Sequence, residues 1–119
     1  MSLKGLPDFL ERLASGNDAH LVLCPGIGLR RLKAGSQFGM ALQISREGLR
    51  AGQLQQVLER RFEQALAFDG CFIYLDAEGA LVIWHALSDL RDAKALNEKI
   101  RQMLSLASLE ALDTSSYRY

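Results

Sequence analysis

The stretch that decides the fold is residues 71–86, CFIYLDAEGALVIWHA. Two apolar runs, 71–75 and 80–86, flank the turn Asp76-Ala77-Glu78-Gly79, and this pattern predicts a β-hairpin. Successive side chains of a strand point to opposite faces of a sheet, so runs that are apolar throughout indicate strands covered on both faces. The hairpin is therefore predicted to lie centrally in a sheet or to cover a partner.

Three further strands are predicted upstream, at 20–24, 27–33 and 38–44. Pro25-Gly26 closes the first strand, and the turn 34–36 joins the other two as a hairpin. The third strand has large apolar residues at period two: Phe38, Met40, Leu42 and Ile44. Gly39 interrupts this strand and is predicted to mark a bulge or a close approach of another group.

Three helices complete the pattern. The first begins at Pro7, and the second runs from Gly52 to about Phe68 with apolar residues spaced by four. The third is predicted to start near Asp89, where Asp89 and Asp92 resemble a capping box, and to continue to Leu112. The tail 113–119 is polar and is expected to fray.

The predicted order is therefore α-β-β-β-α-β-β-α over one domain, residues 1–119. Short turns imply antiparallel pairing, so the fold class is α+β, with an antiparallel sheet and helices packed on it. The chain also has more large apolar residues than one covered sheet face should need. That excess predicts an interface, and we expect the protein to be dimeric.

The composition of the chain argues against two classes of function, nucleic-acid binding and membrane insertion. The 119 residues include 14 basic and 14 acidic side chains, so the net charge is zero, which argues against a dedicated nucleic-acid binder. Apolar runs are too short for membrane insertion, and no signal-peptide core is present. The two cysteines, Cys24 and Cys71, lie in apolar runs and are expected to be buried free thiols in a reducing cytoplasm, although a disulfide between them stays open.

No residue pattern indicates catalysis. Cys71 and His85 lie on adjacent predicted strands, but an apolar setting opposes the thiolate that a Cys–His nucleophile requires. The histidines and cysteines lack metal-ligand spacing, and Gly26-Ile27-Gly28 lacks the third glycine and the helix of a dinucleotide site. We therefore expect no enzyme activity, no metal and no cofactor; a small Cys/His enzyme is the least favoured alternative.

The order of elements resembles the class I type III secretion chaperones of Gram-negative bacteria, particularly those that serve a secreted gatekeeper protein. Three stretches carry the resemblance: the opening helix 9–14, the segment from Val57 through 72–75 to 79–83, and the leucine-rich closing helix 96–112. The chain departs from the acidic character of such chaperones, because its net charge is zero.

The resemblance implies two sets of binding residues. A dimer interface would be formed by the second helix and the neighbouring strand, at Leu54, Val57, Leu58, Arg61, Phe62, Phe72 and Tyr74. A groove for an extended partner segment would be lined by Phe9, Leu13, Leu29, Leu32, Phe38, Met40 and Leu42.

The function that the resemblance implies is a cytoplasmic chaperone that binds a secreted effector or gatekeeper protein and keeps it secretion-competent. One alternative keeps the binding role but changes the partner to a type III regulatory protein, which the chain would sequester. The chain would act as a homodimer or as a heterodimer with a similar small chaperone.

Overall fold

A computed structural model describes residues 5–89 and 92–109. In chain order the elements are α1 (Leu6–Ala14), β1 (His20–Cys24), β2 (Ile27–Ala34), β3 (Gln37–Ile44), α2 (Gln53–Glu63), β4 (Phe72–Leu75), β5 (Leu81–Ala86) and α3 (Ala93–Leu106). Two short 3₁₀ turns, Arg46–Gly48 and Leu87–Asp89, follow β3 and β5. The predicted order and the α+β class are confirmed.

The five strands form one antiparallel sheet in the order β1-β2-β3-β5-β4. The two strands of the 71–86 hairpin therefore have different surroundings. β5 is central and buried along nearly its whole length, whereas β4 is an edge strand and is mostly exposed. The predicted central position is confirmed for β5, and for β4 a covering partner stays a prediction.

All three helices pack on one face of the sheet. On this inner face Met40, Leu42 and Ile44 of β3 are completely buried, as their period-two spacing predicts. The helices bring their apolar stripes to the same core, represented by Phe9 of α1 and Leu96 of α3. Burial of one apolar stripe per helix against one sheet face is what holds the layers together.

The outer face of the sheet carries a second, smaller apolar cluster around Trp84. The indole lies flat across Gly39, where a Cβ atom would come within 2.2 Å of the ring. Its Nε1 donates a hydrogen bond of 2.8 Å to the carbonyl oxygen of Leu32. Gly39 therefore marks a close approach, one of its two predicted roles; the irregular pairing in the sheet lies in β1, between Val22 and Cys24.

Two helix boundaries differ from the prediction. α2 ends at Glu63 rather than near Phe68, because the chain turns back to bury Phe68 in the core and passes through Gly70 in a left-handed conformation. α3 begins at Ala93, since Asp92 is the residue with extended backbone that caps the helix, its carboxylate accepting from the Ala95 amide at 2.8 Å. Leu112 and the tail 113–119 lie outside the described residues.

Candidate protein-binding surface

Large apolar side chains are exposed along the margin formed by α2, the turn after it and the edge strand β4. We name this surface the α2–β4 margin; its members are Leu58, Phe62, Leu66, Phe72, Tyr74 and Leu75. Phe62 is 84% exposed and Leu66 is 95% exposed, values that leave nearly the whole side chain in water. Large apolar side chains exposed on neighbouring elements are a feature of protein interaction sites.

The opposite side of α2 is fixed to the body of the protein. Val57 is buried in the main core, and the buried Gln53 donates through Nε2 to the carbonyl oxygen of Ala107 at 3.1 Å. Arg60 donates to the carbonyl oxygen of Ser105, so two side chains of α2 reach backbone acceptors at the end of α3. This anchoring holds α2 with Leu58 and Phe62 outward.

Arg61 connects α2 to β4. Its Nε donates a hydrogen bond of 3.0 Å to the carbonyl oxygen of Cys71, the residue before the strand. Exposed edge strands are usually protected by charged residues or proline, but β4 has the sequence Phe-Ile-Tyr-Leu and contains neither. An edge of this kind favours pairing with another chain.

The aromatic residues of β4 lie on the outer face of the sheet. Phe72 pairs with Trp84 in the strand register, and their ring centroids are 6.0 Å apart. Partial burial raises the pKa of Tyr74, an effect to which the Asp76 carboxylate adds and which Arg30 opposes. The margin therefore continues around the sheet edge onto the outer face.

The residues predicted for a dimer interface divide into three groups. Leu58, Phe62, Phe72 and Tyr74 are exposed on the margin. Leu54 and Arg61 are half-buried, Leu54 against the core and Arg61 over the start of β4. Val57 is 1% exposed, so its side chain belongs to the core of the single chain and has no surface to offer a partner.

Most of the predicted groove residues are core residues. Five of them are buried among the helices and the inner sheet face: Phe9, Leu13, Leu29, Met40 and Leu42. In the single chain these side chains pack between the helices and the sheet, and their role in a groove stays a prediction. Leu32 packs half-buried on the outer face, and Phe38 is 42% exposed.

The sequence did not identify three further apolar residues that are exposed in the structure: Leu66, Leu75 and Val22. Leu66 lies four residues after Phe62, beyond the end of α2, and is exposed like Phe62. The strand positions carry no sequence signal of exposure, because edge and central strands here have the same apolar composition.

Cys24 and Cys71 are both free thiols, Cys24 partly buried and Cys71 buried. Burial raises the pKa of the Cys71 thiol, and Lys99 and Arg61 only partly oppose this effect. His85 is buried, with Nδ1 2.9 Å from the carbonyl oxygen of Ala86. Within 5–89 and 92–109, no three histidine, cysteine or acidic side chains are grouped so that they could hold a metal ion.

Comparison with known proteins identifies a family. The family model described as HrpV-like matches residues 2–112, nearly the whole chain. No curated protein and no solved structure matches it. Among the described residues, none of the helices has the length and apolar character needed to span a bilayer. The chain belongs to the HrpV-like family, and it is a type III secretion-associated protein.

Proposed function

We propose that this protein is a non-enzymatic, chaperone-like regulatory protein of type III secretion that acts in the cytoplasm by binding another protein. The α2–β4 margin carries this proposal, because it combines exposed apolar side chains with an unprotected strand edge. A partner strand pairing with β4 would bury Phe72 and Tyr74 and satisfy backbone groups at the same time.

The partner that we favour is a regulator of secretion genes, which the chain would hold inactive. Membership of the HrpV-like family supports this choice over an exported client. The element order, which resembles that of class I export chaperones, supports the second candidate, in which the bound protein is a secreted effector or gatekeeper. Both candidates use the same surface, so they are separated by the identity of the partner.

The margin would also join two subunits, as a homodimer or as a heterodimer with a similar small chaperone. Leu58 and Phe62 point away from the core on one side of α2, and a second copy of this helix would cover them. An apolar helix face and a strand edge on one margin fit self-association as well as partner binding.

The absence of catalysis is part of the proposal, and the state of Cys71 supports it. A catalytic cysteine requires a lowered thiol pKa and some exposure, whereas Cys71 is buried and its pKa is raised.

The test introduces a charge on the margin. Phe62→Asp leaves the folded chain intact, because the side chain is already in water, but places a carboxylate in any interface built there. Gln56→Asp is the matched control, since Gln56 is an exposed residue of the same helix with no apolar role. Sedimentation velocity measures self-association, and co-purification from the native host followed by mass spectrometry identifies the partner.

We expect Phe62→Asp to lose the partner and to change transcription of secretion genes in the same direction as deletion of the chain, while Gln56→Asp behaves as wild type. If Phe62→Asp instead lowers the level of one secreted protein and leaves transcription unchanged, the chain is an export chaperone. Full partner binding by both variants would remove the margin as the binding surface.

A further inference from the structure

A second surface lies at the other end of the fold, where α1 ends beside β2 and β3. It is a groove of about 610 Å³, lined by Leu13, Ala14, Gly16, Arg31, Phe38 and Leu87 among others. We name it the Arg31 groove. It shares no lining residue with the α2–β4 margin.

Arg31 is a mostly buried cation in this groove, its side chain 14% exposed. Its guanidinium carbon lies 3.6 Å from the centroid of the Phe38 ring. A guanidinium has five N–H donors, but the described residues supply one acceptor, the carboxylate of Asp18, at 3.4 Å. The Asp18 side chain is itself fully exposed, so this bond is weak.

The Nε atom of Arg31 is buried and has no hydrogen-bond partner among the described residues. Leaving a donor of a charged group unpaired is costly, so an acceptor from outside the chain would relieve that cost. Phe38 covers the guanidinium but is 42% exposed, and a turn of its ring into the groove would open the guanidinium to an incoming acceptor.

The charge around the groove selects the kind of acceptor. Lys33 lies 5.6 Å from the Phe38 ring centroid and adds a second cation, while Asp18 is the acidic residue that contacts Arg31. A carboxylate matches the planar donor fork of a guanidinium better than any neutral acceptor. Leu13 and Leu87 supply apolar lining beside the charge.

We infer that the Arg31 groove binds an acidic peptide segment of a protein partner. An Asp or Glu carboxylate of the segment accepts from the Arg31 guanidinium, and an adjacent apolar side chain packs against Leu13, Phe38 and Leu87. This inference does not depend on the α2–β4 margin, because it stands on different residues.

The test uses a fluorescein-labelled peptide of alternating glutamate and leucine, with a glutamine-for-glutamate peptide as its matched control. Fluorescence anisotropy measures binding to the full chain. We expect the glutamate peptide to bind and the glutamine peptide to bind at least about tenfold more weakly. Binding of the glutamate peptide should also weaken as salt is added.

Arg31→Lys keeps the charge but removes the Nε donor and the planar stack on Phe38, and should weaken binding by about tenfold. Arg30→Lys is the matched control, because Arg30 precedes Arg31 on β2 and faces the outer side of the sheet. The Arg30→Lys variant should bind the peptide with the affinity of the wild-type chain. Phe62→Asp should also bind the peptide normally, which separates this inference from the proposed function.

Arg31→Lys could lose binding because it misfolds, so a second measurement follows Arg31 in the wild-type chain. The Nε–H resonance of Arg31, assigned by its absence from Arg31→Lys, should move when the glutamate peptide is added and stay in place with the glutamine peptide. Equal affinity for the two peptides, or equal losses in Arg30→Lys and Arg31→Lys, would overturn the inference. A resonance that moves with protein concentration alone would assign the groove to a second copy of the chain instead.

Discussion

The packing of Trp84 on Gly39 shows how one small residue determines the outer face of the sheet. The indole packs with Ala41 and Val82, and both are completely buried although the helices of the described residues lie on the other face. It reaches that position only because residue 39 has no side chain and because Leu32 accepts its N–H.

We predict that Gly39→Ala lowers the free energy of unfolding by about 1–3 kcal/mol, the usual cost of forcing an atom into a packed site. The added Cβ would displace the indole, so emission of the chain's one tryptophan should shift to longer wavelength. Urea titration followed by tryptophan fluorescence measures both effects.

The same substitution in a Trp84→Leu variant tests whether the clash with the indole causes the loss of stability. In Trp84→Leu the clash with the indole is absent, so adding Gly39→Ala there, followed by circular dichroism, should cost clearly less than in wild type. Equal costs in the two backgrounds would mean that residue 39 matters for its backbone conformation and not for the tryptophan.

The joint between α2 and α3 depends on side chains of one helix that reach the end of the other. Gln53 is 2% exposed; its Nε2 donates to the carbonyl oxygen of Ala107, and its Oε1 accepts from the amide of Arg50 at 2.9 Å. The last carbonyl groups of a helix lack partners within it, so α2 caps α3 from the side.

We predict that Gln53→Leu, which preserves the size of the side chain, lowers the free energy of unfolding by about 1–3 kcal/mol, because it leaves a buried carbonyl and an amide unpaired. Gln56→Leu on the exposed side of the same helix should change it by no more than about 0.5 kcal/mol. Thermal and urea unfolding measure the stability of both variants. Similar losses of stability in the two would show that the cause is helix propensity and not the buried hydrogen bonds of Gln53.

The order and type of the helices and strands were predictable because local signals determine them. Period-two spacing identified β3, and Pro7 marked the start of α1. The position of a strand within the sheet was not predictable, since β4 and β5 have the same apolar character and differ only in which strands lie beside them. For the same reason Val57 and Leu58 could not be sorted into core and surface, and Gln53 gave no sign of burial.

In the part of the chain that the structure describes, three helices pack on one sheet face, and the strands differ greatly in how well they are protected. β3 and β5 lie inside the sheet, and their residues are buried in the main core on the inner face and in the Trp84 cluster on the outer face. β4 has one neighbouring strand and mostly exposed side chains. Local opening should therefore be rare for the central pair and frequent for β4.

Amide hydrogen exchange followed by mass spectrometry tests this gradient together with the binding role of the margin. In dilute wild-type protein we expect β3 and β5 to exchange slowest and the edge strands β1 and β4 to exchange faster. At high protein concentration, or with the bound partner, exchange in β4 should slow, because its free edge becomes hydrogen-bonded. Phe62→Asp should keep β4 fast under all of these conditions, and a β4 as protected as β5 in dilute wild-type protein would contradict an open edge.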